Sequence, residues 1–176
     1  MKFISYRVAD GPDTFGLVRE DGVVDLSQHG PHKTLRAAIA AGDLDALAES
    51  AMTGDPDTVL PDVTFLPVVT DPDKILCAGL NYKDHVTETA NTLPAELQLF
   101  MRATNTLVGH CGEMERPRVS DNYDFEGELT AIIGTGGRHI SEADALDHVA
   151  GYTIFIDGSV RDYQKHSVTA RWARGW

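Results

Sequence analysis

The sequence predicts a β-rich α/β protein, and three observations carry that expectation. Apolar runs enriched in β-branched residues recur between Gly and Asp residues: KILCAGL, ELTAIIG and VAGYTIFI. An Asp21-Gly22 dipeptide divides FGLVRE from VVDLS, the composition of a hairpin turn. Helical patterns are short and lie between these runs. At roughly 100–200 residues per domain, a chain of 176 residues holds one domain, or a small domain with part of another.

Taken in order, KFISYRV alternates loosely and reads as a first strand, and the runs either side of Asp21-Gly22 read as a hairpin closed by a type I′ turn. A helical stretch starts at Thr34 and passes through LRAAIAAG to LDALAESAM, with Gly42 dividing it into two short helices. From Gly54 to Pro72 the chain is rich in Asp, Pro and Thr, and three internal prolines forbid a helix, so the stretch reads as an extended linker. Two domains follow from this reading: a small N-terminal domain over 1–70 and a second over 71–176. In the second, Ser141-Glu-Ala-Asp144 opens a short helix with a capping-box-like start between two long strands.

Charge and cysteine content narrow the functions. The formal charge is −12 and basic residues are not clustered, which argues against nucleic acid, because affinity for phosphate backbones comes from gathered Lys and Arg that release counterions. No apolar run approaches the ~20 residues of a membrane-spanning helix, and MKFISYRVADG lacks the apolar core of a secretory signal. Cys77 and Cys111 have neither disulfide-framework nor metal-ligand spacing. A cytoplasmic protein with no membrane partner is the expectation.

The chemistry concentrates in DFEGELTAII, where Glu126 and Glu128 lead into an apolar strand. Residues i and i+2 of a strand share a face, so the two carboxylates stand side by side and repel. A hard divalent cation relieves that repulsion, because Mg²⁺, Mn²⁺ and Ca²⁺ prefer oxygen ligands. The next apolar run carries Asp157 at its polar end, and a neighbouring placement of the two strands would supply a third oxygen. Upstream, ILCAGLNYKDHVTE reads as a strand, a turn and a short helix bearing His85 and Glu88. Three apart on a helix, they share a face, and an imidazole held by a carboxylate is a fit general base for water.

GLNYKDH from Gly79 to His85, DFEGEL from Asp124 to Leu129, and GYTIFIDGSVRDYQ from Gly151 to Gln164 together resemble the fumarylacetoacetate hydrolase family, in that order and with family-like spacing. The resemblance runs from about Lys74 to the C-terminus. It implies a catalytic β-roll domain, incomplete here, and a divalent metal, usually Mg²⁺ with Mn²⁺ or Ca²⁺ as alternatives, held at Glu126, Glu128 and Asp157. It also implies that His85 and Glu88 activate water, that the substrate is a 2-oxo acid such as an acylpyruvate, and that the protein is a homodimer. Arg161 and Gln164 match positions near the family's active site and stand as candidates for contact with substrate or for support of the site.

Two departures qualify the resemblance. The family's Phe-x-Lys becomes Phe100-Met101-Arg102, which keeps the charge of the substrate-side or metal-side lysine but replaces a point donor with a planar fork. Family members also continue past the Arg-Asp-x-Gln block, whereas this sequence stops at Trp176, so it is expected to be the front part of a longer protein. Three functions follow: metal-dependent hydrolysis of a C–C bond in a 2-oxo acid; isomerisation, decarboxylation or dehydration of a 2-oxo or sugar-derived acid; or an incomplete domain without activity.

Overall fold

The structure is a computed structural model, and it describes residues 1–84 and 94–164. They belong to two compact units. One comprises Met1–Asp71, Leu107–Met114 and Glu126–Asp157; the other comprises the described parts of Pro72–Thr106, Glu115–Phe125 and Gly158–Trp176.

The first unit is built on an antiparallel sheet of β1 (Phe3–Val8), β2 (Thr14–Val18), β3 (Val23–Asp25) and β4 (Val63–Phe65), in the order β3-β2-β1-β4. The hairpin expected around Asp21-Gly22 joins β2 to β3. Its turn is not type I′, however: Asp21 keeps a negative φ, and only Gly22 is positive, at 155°. Arg19 explains the difference, since its guanidinium holds the Asp21 carboxylate and reaches the carbonyls of Ala51 and Gly54, tying the turn to distant backbone. Residues 54–72 are also more than a linker. Thr58 bridges to Val23, and Val63–Phe65 adds an edge strand to β1, the one position in a sheet where flanking prolines do no harm.

Three helices follow β3: α1 (Leu26–His29), α2 (Leu35–Ala41) and α3 (Leu44–Ser50). Thr34 caps α2, its hydroxyl accepting the Ala37 N–H, and Gly42 ends it in the left-handed conformation at φ 73°. Leu35, Ala38, Leu47, Ala48 and Ala51 pack with Phe15, Leu17 and Val24 of the sheet and Leu26 of α1 into one core. Phe15 and Ala38 are wholly buried; a side chain the size of Phe15 contributes about 2–3 kcal/mol on that account.

A polar hub sits against this core. Asp25 is buried and caps α1, accepting from the N–H groups of Ser27 and Gln28, from the hydroxyls of Ser27 and Thr14, and from the Gln28 amide. Burial alone would raise its pKa, but the donors from Ser27, Gln28 and Thr14 outweigh it and hold the carboxyl below its ordinary range. The same carboxylate bonds the buried Tyr6 phenol, whose pKa is raised by burial first and by Asp25 and Asp57 next. Asp57 accepts the Asp25 N–H at 2.8 Å and pairs with His29 at 2.9 Å.

Two ribbons carry the rest of the described chain. β5 (Ile75–Gly79) pairs antiparallel with β6 (Gln98–Arg102), with Cys77 opposite Phe100. β7 (Tyr123–Ile133) pairs with β8 (Val149–Val160). Gly134 N–H bonds His148 O at one end and Arg161 N–H bonds Asn122 O at the other, so β7 and β8 run antiparallel. The helix expected at Ser141 is a 3₁₀ helix, Glu142–His148, with the Ser141 hydroxyl accepting the Asp144 N–H as the capping motif requires.

The Asp25 hub yields a prediction with a definite sign. Asp25→Ala removes the acceptor of five donors and lowers unfolding stability by about 2–4 kcal/mol in urea titration. A depressed carboxyl contributes stability above the ordinary carboxylate range, near pH 4, and that contribution is lost as pH falls through the lowered value. Asp25→Asn therefore flattens the acid limb of the stability curve while the limb above neutrality keeps its slope.

Candidate functional site

The alternation of β7 and β8 builds the site. On β7, Glu126, Glu128, Thr130 and Ile132 are partly covered, while Phe125, Leu129 and Ile133 are 72%, 69% and 62% exposed. On β8, Thr153, Phe155, Asp157 and Ser159 are covered, and Tyr152, Ile154 and Ile156 face solvent. The covered positions are even-numbered on one strand and odd-numbered on the other, as one face of an antiparallel pair demands. The same parity puts Glu126, Glu128 and Asp157 on the covered face of the ribbon.

This face is polar where the site is expected. Asp157 and Ser159 are buried, and Glu126 Oε1 and Asp157 Oδ1 are both withdrawn from solvent. Among the described residues beyond Asp71, every fully buried side chain is polar: Ser120, Asp157 and Ser159. Carboxylate oxygens removed from water need compensating charge or hydrogen bonds. Three hard oxygen donors along one covered face suit a divalent ion of the Mg²⁺, Mn²⁺ or Ca²⁺ type. Among the described residues, no three His, Cys, Asp or Glu side chains are drawn together round one point as a finished metal cage. The strands thus place Glu126, Glu128 and Asp157 on a common face without closing them into a cluster.

The other expected residues divide. His85 and Glu88 lie outside the described residues. Arg102, at the end of β6, donates from Nη2 to Gly158 O at 3.2 Å, has its Nε buried, and stacks 5.8 Å from the Phe100 ring centroid. It therefore grips the residue that follows Asp157, a contact a planar fork makes readily. Arg161 donates from Nε to Asp124 Oδ2 at 2.9 Å and from Nη1 to Gln164 Oε1 at 3.1 Å. That bond holds the Asp124 carboxyl below its usual range.

Sequence reasoning gave no role to Ser120, Asn122, Asp124 or Asp162. The Ser120 hydroxyl donates to Asp162 Oδ1 at 2.8 Å and accepts the Asn122 N–H at 3.0 Å, and the Asp162 carboxyl is lowered by that hydroxyl above all. Arg116 Nη1 bonds the Ser120 carbonyl and Asp121. Asp124 and Asp162 sit inside the motif blocks, so their presence was visible; their partners, 37 and 42 residues away, were not.

The family model for the fumarylacetoacetate (FAA) hydrolase C-terminal domain matches residues 74–176. The chain belongs to the fumarylacetoacetate hydrolase family. An oxaloacetate tautomerase of Xenopus laevis, mitochondrial by its name, is 33% identical over 99% of this chain and 57% of its own length. A fumarylacetoacetate hydrolase from the psychrophile Exiguobacterium antarcticum superposes at TM-score 0.67 with 27% identity, covering 95% of this chain and 60% of that one. Maleylpyruvate hydrolase from a Sphingobium species, solved with manganese(II) and pyruvate, superposes at 0.71 with 25% identity, covering 90% and 59%. This family member spans between half and two thirds of the length of these relatives. No helix of its described residues is long and apolar enough to cross a membrane.

Their common covered face predicts that the carboxylates share a cation. In a calorimetric titration with Mn²⁺, Glu126→Gln and Asp157→Asn each weaken binding by at least about tenfold, and Glu142→Gln, a control on the exposed 3₁₀ helix, leaves it unchanged.

Proposed function

We propose that this chain carries the metal-binding part of an enzyme that acts on 2-oxo acids, with Mg²⁺ or Mn²⁺ at Glu126, Glu128 and Asp157. The observation that carries the reading is the polar covered face of the β7–β8 ribbon, which takes Glu126, Glu128 and Asp157, with Glu126 Oε1 and Asp157 Oδ1 out of water. When bound, the cation supplies Lewis acidity, drawing the substrate's adjacent carboxylate and 2-oxo oxygens and favouring negative charge on the latter.

The residues of this chain would then divide the work. Glu126, Glu128 and Asp157 would hold the ion through their carboxylate oxygens. Arg102 keeps the backbone after Asp157 in place through Gly158 O. His85 and Glu88 are the residues of this chain that would take a proton from water in a hydrolytic reaction, or from the carbon beside the 2-oxo group in a tautomerisation. Both reactions leave the electron pair on the same three-carbon oxo-acid fragment. They differ in whether a C–C bond breaks and water adds.

Hydrolysis of an acylpyruvate-like substrate is the first reading, because a His–Glu pair is suited to activate water. Tautomerisation is the second, favoured by the 33% identity to an oxaloacetate tautomerase over nearly the whole chain.

Turnover separates the readings. With Mg²⁺ present, the protein is expected to cleave acylpyruvates to pyruvate, followed by loss of the diketone absorbance; chelation with EDTA abolishes the rate and Mg²⁺ restores it. Glu88→Gln lowers kcat for cleavage by about 10²-fold or more. Rapid enol-to-keto conversion of oxaloacetate without any acylpyruvate cleavage would overturn hydrolysis in favour of tautomerisation. Equal rates with and without divalent metal would overturn the metal-dependent reading altogether.

A further inference from the structure

β3 is an end strand of the first sheet, and such a strand has backbone donors and acceptors to satisfy on its outer edge. Residues 57 and 58 meet them. Val23 N–H donates to Thr58 O at 2.9 Å, and Val23 O accepts from the Asp57 N–H at 2.9 Å and from the Thr58 N–H at 3.3 Å. Two residues along β3 a side chain takes over from the backbone, because the Asp25 N–H donates to Asp57 Oδ2 at 2.8 Å. The same carboxylate faces α1: His29 Nε2 lies 2.9 Å from Oδ1 and 3.2 Å from Oδ2. Asp25 caps the start of α1 and His29 ends it, so Asp57 closes a ring of contacts through a strand end, a helix and the segment beside them.

Charge decides how firmly that ring holds. A neutral imidazole with its proton on Nε2 still donates to Asp57, but a protonated one donates with its charge, and charge-assisted bonds are roughly twice as strong. The hydrogen bond and the charge of Asp57, with a smaller effect of Asp25, hold the His29 pKa above its ordinary value. Other charged and titratable groups lie close by. The Tyr6 phenol on β1 bonds Asp25, and burial keeps it protonated; Lys33 Nζ, beyond α1, donates to Ser27 O at 2.7 Å. Asp55, on the same segment as Asp57, acts on Arg19, and His32 has its own partner in Asp43 at 2.6 Å. A raised imidazole pKa contributes stability that is complete below the ordinary value, near pH 6.5, and is lost as pH rises through the raised value.

We propose that His29 and Asp57 form a pH-dependent latch that fastens residues 57 and 58 to the outer edge of β3, tight in mildly acid solution and loosened above neutrality. The His29 side chain is 58% exposed and that of Asp57 29%, so the ring exchanges its proton with solvent while the backbone beside it stays paired. The same exposure limits the effect to a few fold. The latch is independent of the 2-oxo acid reading.

Amide hydrogen exchange in the full chain, followed by NMR at about pH 5.5 and about pH 8.5 with the intrinsic rate divided out, tests the latch. Protection of the Asp25, Asp57 and Thr58 amides is expected to fall about threefold between the two conditions. The Leu66 amide, which donates to Ser5 O in the same sheet, keeps its protection. His29→Gln, an exposed substitution that retains a donor but carries no charge, is expected to show the lower protection at both pH values. Asp57→Asn keeps an oxygen for the Asp25 N–H and also loses the pH difference, and the double variant goes no further, because both changes remove one interaction. His32→Gln retains the wild-type difference. Equal protection of the three amides at both pH values in the wild type would overturn the latch. A pH difference that survives in His29→Gln and disappears in His32→Gln would assign the titration to the His32–Asp43 pair and overturn it as well.

Discussion

The opposition of β7 and β8 is the constraint on which the functional half of this protein depends. A strand has a period of two, so pairing these strands in one register decides at once which side chains are covered and which meet solvent. Here the covered face takes Glu126, Glu128, Asp157 and Ser159, while Leu129, Ile133 and Ile154 stand exposed. That inverts the usual apolar-in, polar-out order of a sheet with one solvated face. Keeping charged oxygens out of water is unfavourable unless something compensates.

The two parts of the described chain use polar burial differently. In the first unit Asp25 is buried beside an apolar core, and five donors satisfy it, so its negative charge organises a helix start, a strand end and the Tyr6 phenol. It is a structural carboxylate. Along β7 and β8, the buried side chains are the polar Asp157 and Ser159.

Much of the local structure was legible because it is decided by short-range chemistry. Thr34 and Gly42 bound α2 by capping and by a positive φ, and Ser141 starts a helical turn through its hydroxyl. The misread parts were those in which distant groups override local preference. Asp21-Gly22 does form a hairpin, yet Arg19 bonds the Asp21 carboxylate and backbone more than thirty residues away, and the turn takes another form. The proline-rich stretch after Gly54 looked like a linker, because nothing local reveals that β1 has an open edge for Val63–Phe65 to fill. The fold also brings Asp57 to His29 and Asp43 to His32, across 28 and 11 residues.

By itself, the sequence determined the β-rich α/β class, the pairing of Glu126 with Glu128 on one strand face, and, through three ordered motif blocks, membership of the fumarylacetoacetate hydrolase family. These depend on periodicity and residue type, which are written along the chain. Only the tertiary structure decided that Asp157 shares the covered face with Glu126, that Arg102 holds Gly158 O, and that Arg161 answers to Asp124. Such contacts join residues about 30 to 60 positions apart. Strand register sets them, and register is a property of two strands together that neither sequence segment contains alone.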